Sequence, residues 1–299
     1  MIDTAEEMAA ISPNGKFGSS FSSGLRFAEP RISITLTQRA AMRLLSLLSA
    51  VLTMAFAMPA AAYTIDADLS DWGLQRNGNV ADWTPHALAK AWTVEDQTGG
   101  RGIYLTPGYG GQDYDVEALY VDYDASYLYL ALVTGHSPLT SNSGGNYAPG
   151  DFGIDFGRDG SYEFGLETTG SNGKVSGGLY AVSTWGAGLW GVANEGPTSI
   201  LNGTLFGMGE VEYSTVGVAN IGTYISDKHY FYEARIPVAL FGSYWGNGEA
   251  FDAHWTMNCA NDSLIVDPVP GAHVPEPGTL ALLPLGLLGM FGLARRRRG

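Results

Sequence analysis

The chain has 299 residues, with 30 acidic side chains against 16 basic ones and a formal net charge of −14. Most of the basic residues lie towards the ends, at Lys16, Arg26, Arg31, Arg39, Arg43 and Arg295 to Arg298, so the middle is more acidic than the whole. Such a surface repels phosphate backbones and anionic lipid, which excludes nucleic-acid binding, and it favours cations such as calcium.

Cys259 is the only cysteine, so neither an intramolecular disulfide nor a thiolate zinc cluster can form within one chain. The 41 glycines and the 12% share of aromatic residues suit an all-β protein with many turns.

Residues 1–41 show no periodicity and read as a mis-called start or an extended front end. From Met42 and Arg43 the chain continues as an apolar run, then Pro59 and the small residues Ala60 and Ala62. This is the pattern of a Sec-type signal peptide over residues 42–62. It implies the Sec translocon and signal peptidase as partners and Tyr63 as the mature N-terminus.

Residues 63–272 are the size of one β-sandwich, and no repeat or linker splits them. Period-two alternation in Glu117 to Tyr123 and in Tyr127 to Val133, joined by Asp124-Ala125-Ser126, predicts a β-hairpin. Further strands are expected at Phe152 to Phe156, Tyr162 to Glu167, Gly178 to Thr184, Val211 to Ala219, His229 to Ile236 and Phe251 to Cys259. Gly, Asn, Asp or Ser clusters separate them. Helix signals are nearly absent, with one turn expected at Pro237 to Phe241. The fold class is therefore all-β, a single antiparallel sandwich of jelly-roll type.

Three stretches carry a resemblance: Ile65-Asp66-Ala67-Asp68-Leu69-Ser70-Asp71-Trp72, the hairpin from Val116 to Val133, and Gly150-Asp151-Phe152-Gly153-Ile154-Asp155. Together with His254 to Asp262 they resemble the DOMON-like, family 9 carbohydrate-binding modules. This chain has Ala67 where that family usually has glycine. The resemblance implies a β-sandwich and a polysaccharide ligand.

Sugars stack their C–H faces on exposed aromatic rings. Trp72 and Trp255 are expected in the core, whereas Trp185 and Trp190, in Gly-rich sequence, are candidate sugar platforms on a loop. Asp66, Asp68 and Asp71 form a closely spaced oxygen cluster that could begin a calcium site, and Asp113, Asp115 and Glu117 form another. A solvated acidic face is the competing reading of both. No other cofactor is expected. His254 and Met257, three apart on a strand, face opposite ways and make a poor haem pair. Cys259 reads as a buried apolar residue. Nucleophile elbows, His-Glu-x-x-His and phosphate-cradling loops are absent from the sequence.

Residues 273–299 form the tail: Val274-Pro275-Glu276-Pro277, an uncharged Leu/Gly-rich run, and Arg295-Arg296-Arg297-Arg298. The run is about 16 residues, roughly 24 Å as a helix, just short of a hydrocarbon core of about 30 Å. The arginines would hold that end in the cytoplasm. This arrangement resembles the PEP-CTERM sorting signal of Gram-negative bacteria. It implies exosortase as a partner, transient inner-membrane anchoring and then delivery to the cell surface or extracellular matrix. The expected function is a non-enzymatic surface protein that binds extracellular polysaccharide. The alternatives are a glycan-acting hydrolase, which needs two carboxyls about 5–10 Å apart in a cleft, and a purely structural surface protein.

Overall fold

The computed structural model describes residues 63–96, 110–188 and 197–272. The signal-peptide residues Ala60 and Ala62, the sorting residues Val274 to Pro277, the arginine cluster and Trp190 lie outside the described residues. Among the described residues no helix is long and apolar enough to cross a membrane.

The strands are β1 (Ala91–Val94), β2 (Val116–Tyr123), β3 (Tyr127–Thr134), β4 (Phe152–Asp155), β5 (Phe164–Leu166), β6 (Gly178–Trp185), β7 (Ile200–Met208), β8 (Glu210–Tyr213), β9 (Tyr230–Pro237), β10 (Phe251–Thr256) and β11 (Ser263–Val269). They form a five-stranded sheet in the order β1-β2-β3-β9-β8 and a six-stranded sheet in the order β11-β10-β4-β5-β6-β7. Every described pairing is antiparallel. The architecture is thus the expected all-β one, two antiparallel sheets.

The central hairpin follows its alternation. Asp124 closes the turn, its Oδ1 accepting from the backbone N–H groups of Ser126 and Tyr127. Leu119, Val121, Leu128, Leu130 and Leu132 then point into one core with Phe152, Ile154, Phe251 and Trp255 from the other sheet. Fully burying side chains of this kind stabilises the fold by about 1.5–3 kcal/mol each.

The opposite face of the hairpin is covered too. Tyr63, Ile65, Leu69, Trp72, Trp83 and Ala89 from the leading segment pack on Ala118, Tyr120, Tyr129, Ala131 and Phe231. Antiparallel sheets commonly leave one face to water, but here a non-strand segment takes its place. Tyr63 stacks on Trp72 with ring centroids 4.1 Å apart, and its hydroxyl donates to Asp122 at 2.6 Å.

Some strands depart from the pattern. The segment expected from Val211 to Ala219 keeps strand geometry only over β8, with a single bridge later between Val218 and His229. Strands β1, β7 and β11 were not signalled. β7 contains two glycines and lies at a sheet edge with most residues solvent-facing, and β11 carries Pro268, so neither has a clean period of two. The expected turn at Pro237 to Phe241 is a 3-10 segment over Val238–Tyr244.

Candidate functional site

Three carboxylates from separate parts of the chain converge at one end of the two sheets. Glu95 follows β1, Asp115 precedes β2, and Asp262 sits in the turn between β10 and β11. The Glu95 N–H donates to the Glu117 carbonyl at 2.8 Å, and the Val116 N–H donates to Asp262 Oδ2 at 2.7 Å. These bonds tie both sheets to one spot. One ligand oxygen from each of Glu95, Asp115 and Asp262 lies within 4.8 Å of the others. Asp115 and Asp262 are fully buried and Glu95 is half-buried.

Elsewhere in this fold, buried carboxylates are met by donors. Asp82 accepts from the N–H groups of Asn77, Gly78 and Gly222, and Asp151 accepts from those of Thr168 and Ile200. The cluster is different: among the described residues, no backbone N–H or other non-carboxyl donor meets the oxygens of Asp115 or Glu95, and Asp115 hydrogen-bonds only with the Asp262 carboxyl. Asp262 also has backbone donors, its Oδ1 accepting from Ser263 N–H. None of the ion pairs among the described residues involves these three side chains.

Glu117 borders the cluster. A bulge in β2 between Val116 and Ala118 puts an extra residue into the strand there. The Glu117 Oε1 lies 3.0 Å from His229 Nε2 and accepts from Gln112 Nε2 at 3.2 Å, while its Oε2 is unpartnered. The His229 ring in turn packs edge-on against Trp83.

The electrostatics follow from this crowding. Burial first, then the charges of Asp262, Glu117 and Asp96, push the Glu95 carboxyl up to about 8. Burial, then Glu117 and Asp262, push Asp115 up to about 10. Burial raises Asp262 to about 7, although the Val116 N–H acts in the opposite direction. Negative charge is therefore unfavourable here unless a positive charge joins it. The three converging groups offer only hard oxygen donors.

The residues predicted from sequence fall elsewhere. Asp66, Asp68 and Asp71 are exposed, and each spends an oxygen on a local turn: Asp66 accepts from Asp68 N–H, Asp68 from Ser70 N–H and Asp71 from Thr64 N–H. Of the second cluster, Asp115 and Glu117 are buried side by side, while Asp113 faces solvent. Trp72 and Trp255 are fully buried, as expected, and so are His254, Met257 and Cys259. Trp185 ends strand β6 instead of standing on a loop. It is half-buried and donates its indole N–H to the Tyr162 carbonyl at 2.9 Å.

Sequence reasoning missed Glu95 and Asp262, which reach Asp115 only through the pairing of β1 with β2 and the placement of the β10–β11 turn. It also missed Trp92. That ring is 41% exposed and lines a groove of about 220 Å³ with Thr93, Val266, Asp267 and Pro268. Asp267 is paired there with the Arg158 guanidinium, whose Nε also donates to Asp252 at 2.8 Å.

Comparison with protein families finds a PEP-CTERM protein-sorting motif at residues 273–298. The motif marks an exported surface protein processed by exosortase. No curated protein matches the chain.

Proposed function

We propose that this chain is a non-enzymatic protein of the extracellular matrix, released from the Sec pathway at Tyr63, sorted by exosortase and associated with extracellular polysaccharide through its β-sandwich. The observation that carries the reading is the sorting motif at residues 273–298, immediately after the last described residues of the two-sheet fold. The polysaccharide contact is supported by the groove at Trp92, lined by the exposed indole and by Asp267, whose carboxylate is paired with the Arg158 guanidinium. A sugar needs this combination, an apolar platform for its C–H face and charged groups for its hydroxyls.

The non-enzymatic reading is supported by where the carboxylates lie. Three surface grooves, at Trp92, at Leu69 and at Tyr127, are each lined by a single carboxylate, Asp267, Asp68 and Glu210 respectively. A glycosidase needs two carboxyls about 5–10 Å apart on either side of a sugar ring. The cluster at Asp115 has several, but they are buried.

Two measurements test this. Mass spectrometry of the protein from its host should find ends near Tyr63 and near Pro275-Glu276-Pro277; an intact tail through Arg295 to Arg298 would overturn exosortase processing. Affinity electrophoresis through gels containing the host's own exopolysaccharide should retard the protein, and Trp92→Ala should remove the retardation. Equal mobility with and without polysaccharide would overturn the sugar contact.

A further inference from the structure

We propose that Glu95, Asp115 and Asp262 form a calcium site that clamps the two sheets together, and that the site fills only once the protein has left the cytoplasm. The argument stands on geometry. Three side chains from three strand ends bring carboxylate oxygens within 4.8 Å of one another, two of those side chains are fully buried, and the Asp115 oxygens meet no donor except the neighbouring Asp262 carboxyl. A buried acceptor without a donor is costly, and this one is aimed at two further carboxylates. A cation among them takes one oxygen from each of the three.

The donor set selects the ion. Carboxylate oxygens suit hard cations, whereas zinc and copper favour nitrogen and sulfur. His229 has its Nε2 turned to Glu117 at 3.0 Å, and the Cys259 thiol is pushed up to about 11 by burial, so neither offers a ready soft ligand, and the groups that converge within 4.8 Å are carboxylates. Magnesium keeps several waters and binds through one or two carboxylates, while calcium takes six to eight oxygens in flexible geometry. Three carboxylates, with the unpartnered Oε2 of Glu117 beside them, fit calcium better.

Position gives the ion its role. Glu95 and Asp115 flank paired strands β1 and β2 of the five-stranded sheet, and Asp262 belongs to the β10–β11 turn of the six-stranded sheet. An ion held by all three joins the sheets beside Val116, Met257 and Leu264 of the shared core. Extracellular calcium modules bind with dissociation constants on the order of 10⁻⁴ to 10⁻³ M, weak enough to stay empty at cytoplasmic calcium levels and to fill outside. That timing rests on the export reading above; the site itself does not.

The test uses the full-length chain, purified from whichever cell fraction holds it and stripped with a chelator, so it is independent of how the ends are processed. Millimolar calcium should raise the thermal midpoint and load one ion per chain by metal analysis, and magnesium should do neither. Asp115→Asn and Glu95→Gln should abolish the calcium response. Because each substitution takes one carboxyl out of a crowd of buried carboxyls, the calcium-free midpoint of each variant should equal or exceed that of the unsubstituted protein. Asp66→Asn should keep the response. Absence of binding by the folded protein, an equal response to magnesium, or binding that survives both cluster substitutions would overturn the proposal.

Discussion

The Trp72 indole N–H donates to Glu233 Oε1 at 2.9 Å, joining the leading segment to strand β9. The other oxygen of Glu233 accepts from the backbone N–H groups of Asp66 and Ala67. One fully buried carboxylate thus holds the whole Ile65–Trp72 turn against the five-stranded sheet. Trp72→Phe removes the indole donor, leaves Glu233 Oε1 unsatisfied and opens space beside Tyr63 and Tyr120. The expected loss is about 2–4 kcal/mol, read as a lower urea midpoint.

Ala67 lies in the same turn with φ of +58°, a left-handed conformation that costs an L-residue roughly 1–2 kcal/mol. Ala67→Gly relieves this strain while giving the unfolded chain about 0.4–1 kcal/mol more entropy to lose. The net expectation is a gain of up to about 1 kcal/mol in urea unfolding. A loss would mean that the Ala67 methyl, buried against the sheet, contributes more than the backbone strain costs.

What the sequence revealed and what it hid both follow from period two. Alternation exposed the β2–β3 hairpin because both of its faces are packed, so every residue from Val116 to Asp122 had a side to take. It hid β7, whose residues mostly face water, and β11, which carries Pro268. Clusters are less legible along the chain than strands. Asp66, Asp68 and Asp71 are close in sequence because turn-closing aspartates recur every few residues. Glu95, Asp115 and Asp262 come together only through strand pairing, a long-range relation that spacing cannot encode.

Gly165 lies beneath the Trp185 ring: a Cβ there would sit 2.5 Å from Trp185 Cη2 and 2.9 Å from the Ile200 side chain. Gly165→Ala therefore pushes the indole outward and strains its bond to the Tyr162 carbonyl. Overpacking of this kind costs about 1–3 kcal/mol. The expected readout is a lower unfolding midpoint together with a red-shifted tryptophan emission. An unshifted spectrum would place the adjustment in Ile200 instead.

His254 makes the fold sensitive to acid. Its ring is fully buried beside Tyr162, and neither nitrogen has a hydrogen-bond partner among the described residues. Burial pushes its pKa down to about 3 from an ordinary 6.5. The folded protein thus keeps the imidazole neutral where the unfolded chain protonates it. With the unfolded state binding the extra proton, stability from this group is complete above about pH 6.5 and falls as the pH drops towards 3. The slope approaches about 1.4 kcal/mol per pH unit. His254→Leu removes the titrating group while keeping an apolar side chain at the site. In a series of urea denaturations across that window, the variant should lose less stability with falling pH than the unsubstituted protein. Parallel pH curves for the two proteins would show that the ring takes up its proton without unfolding.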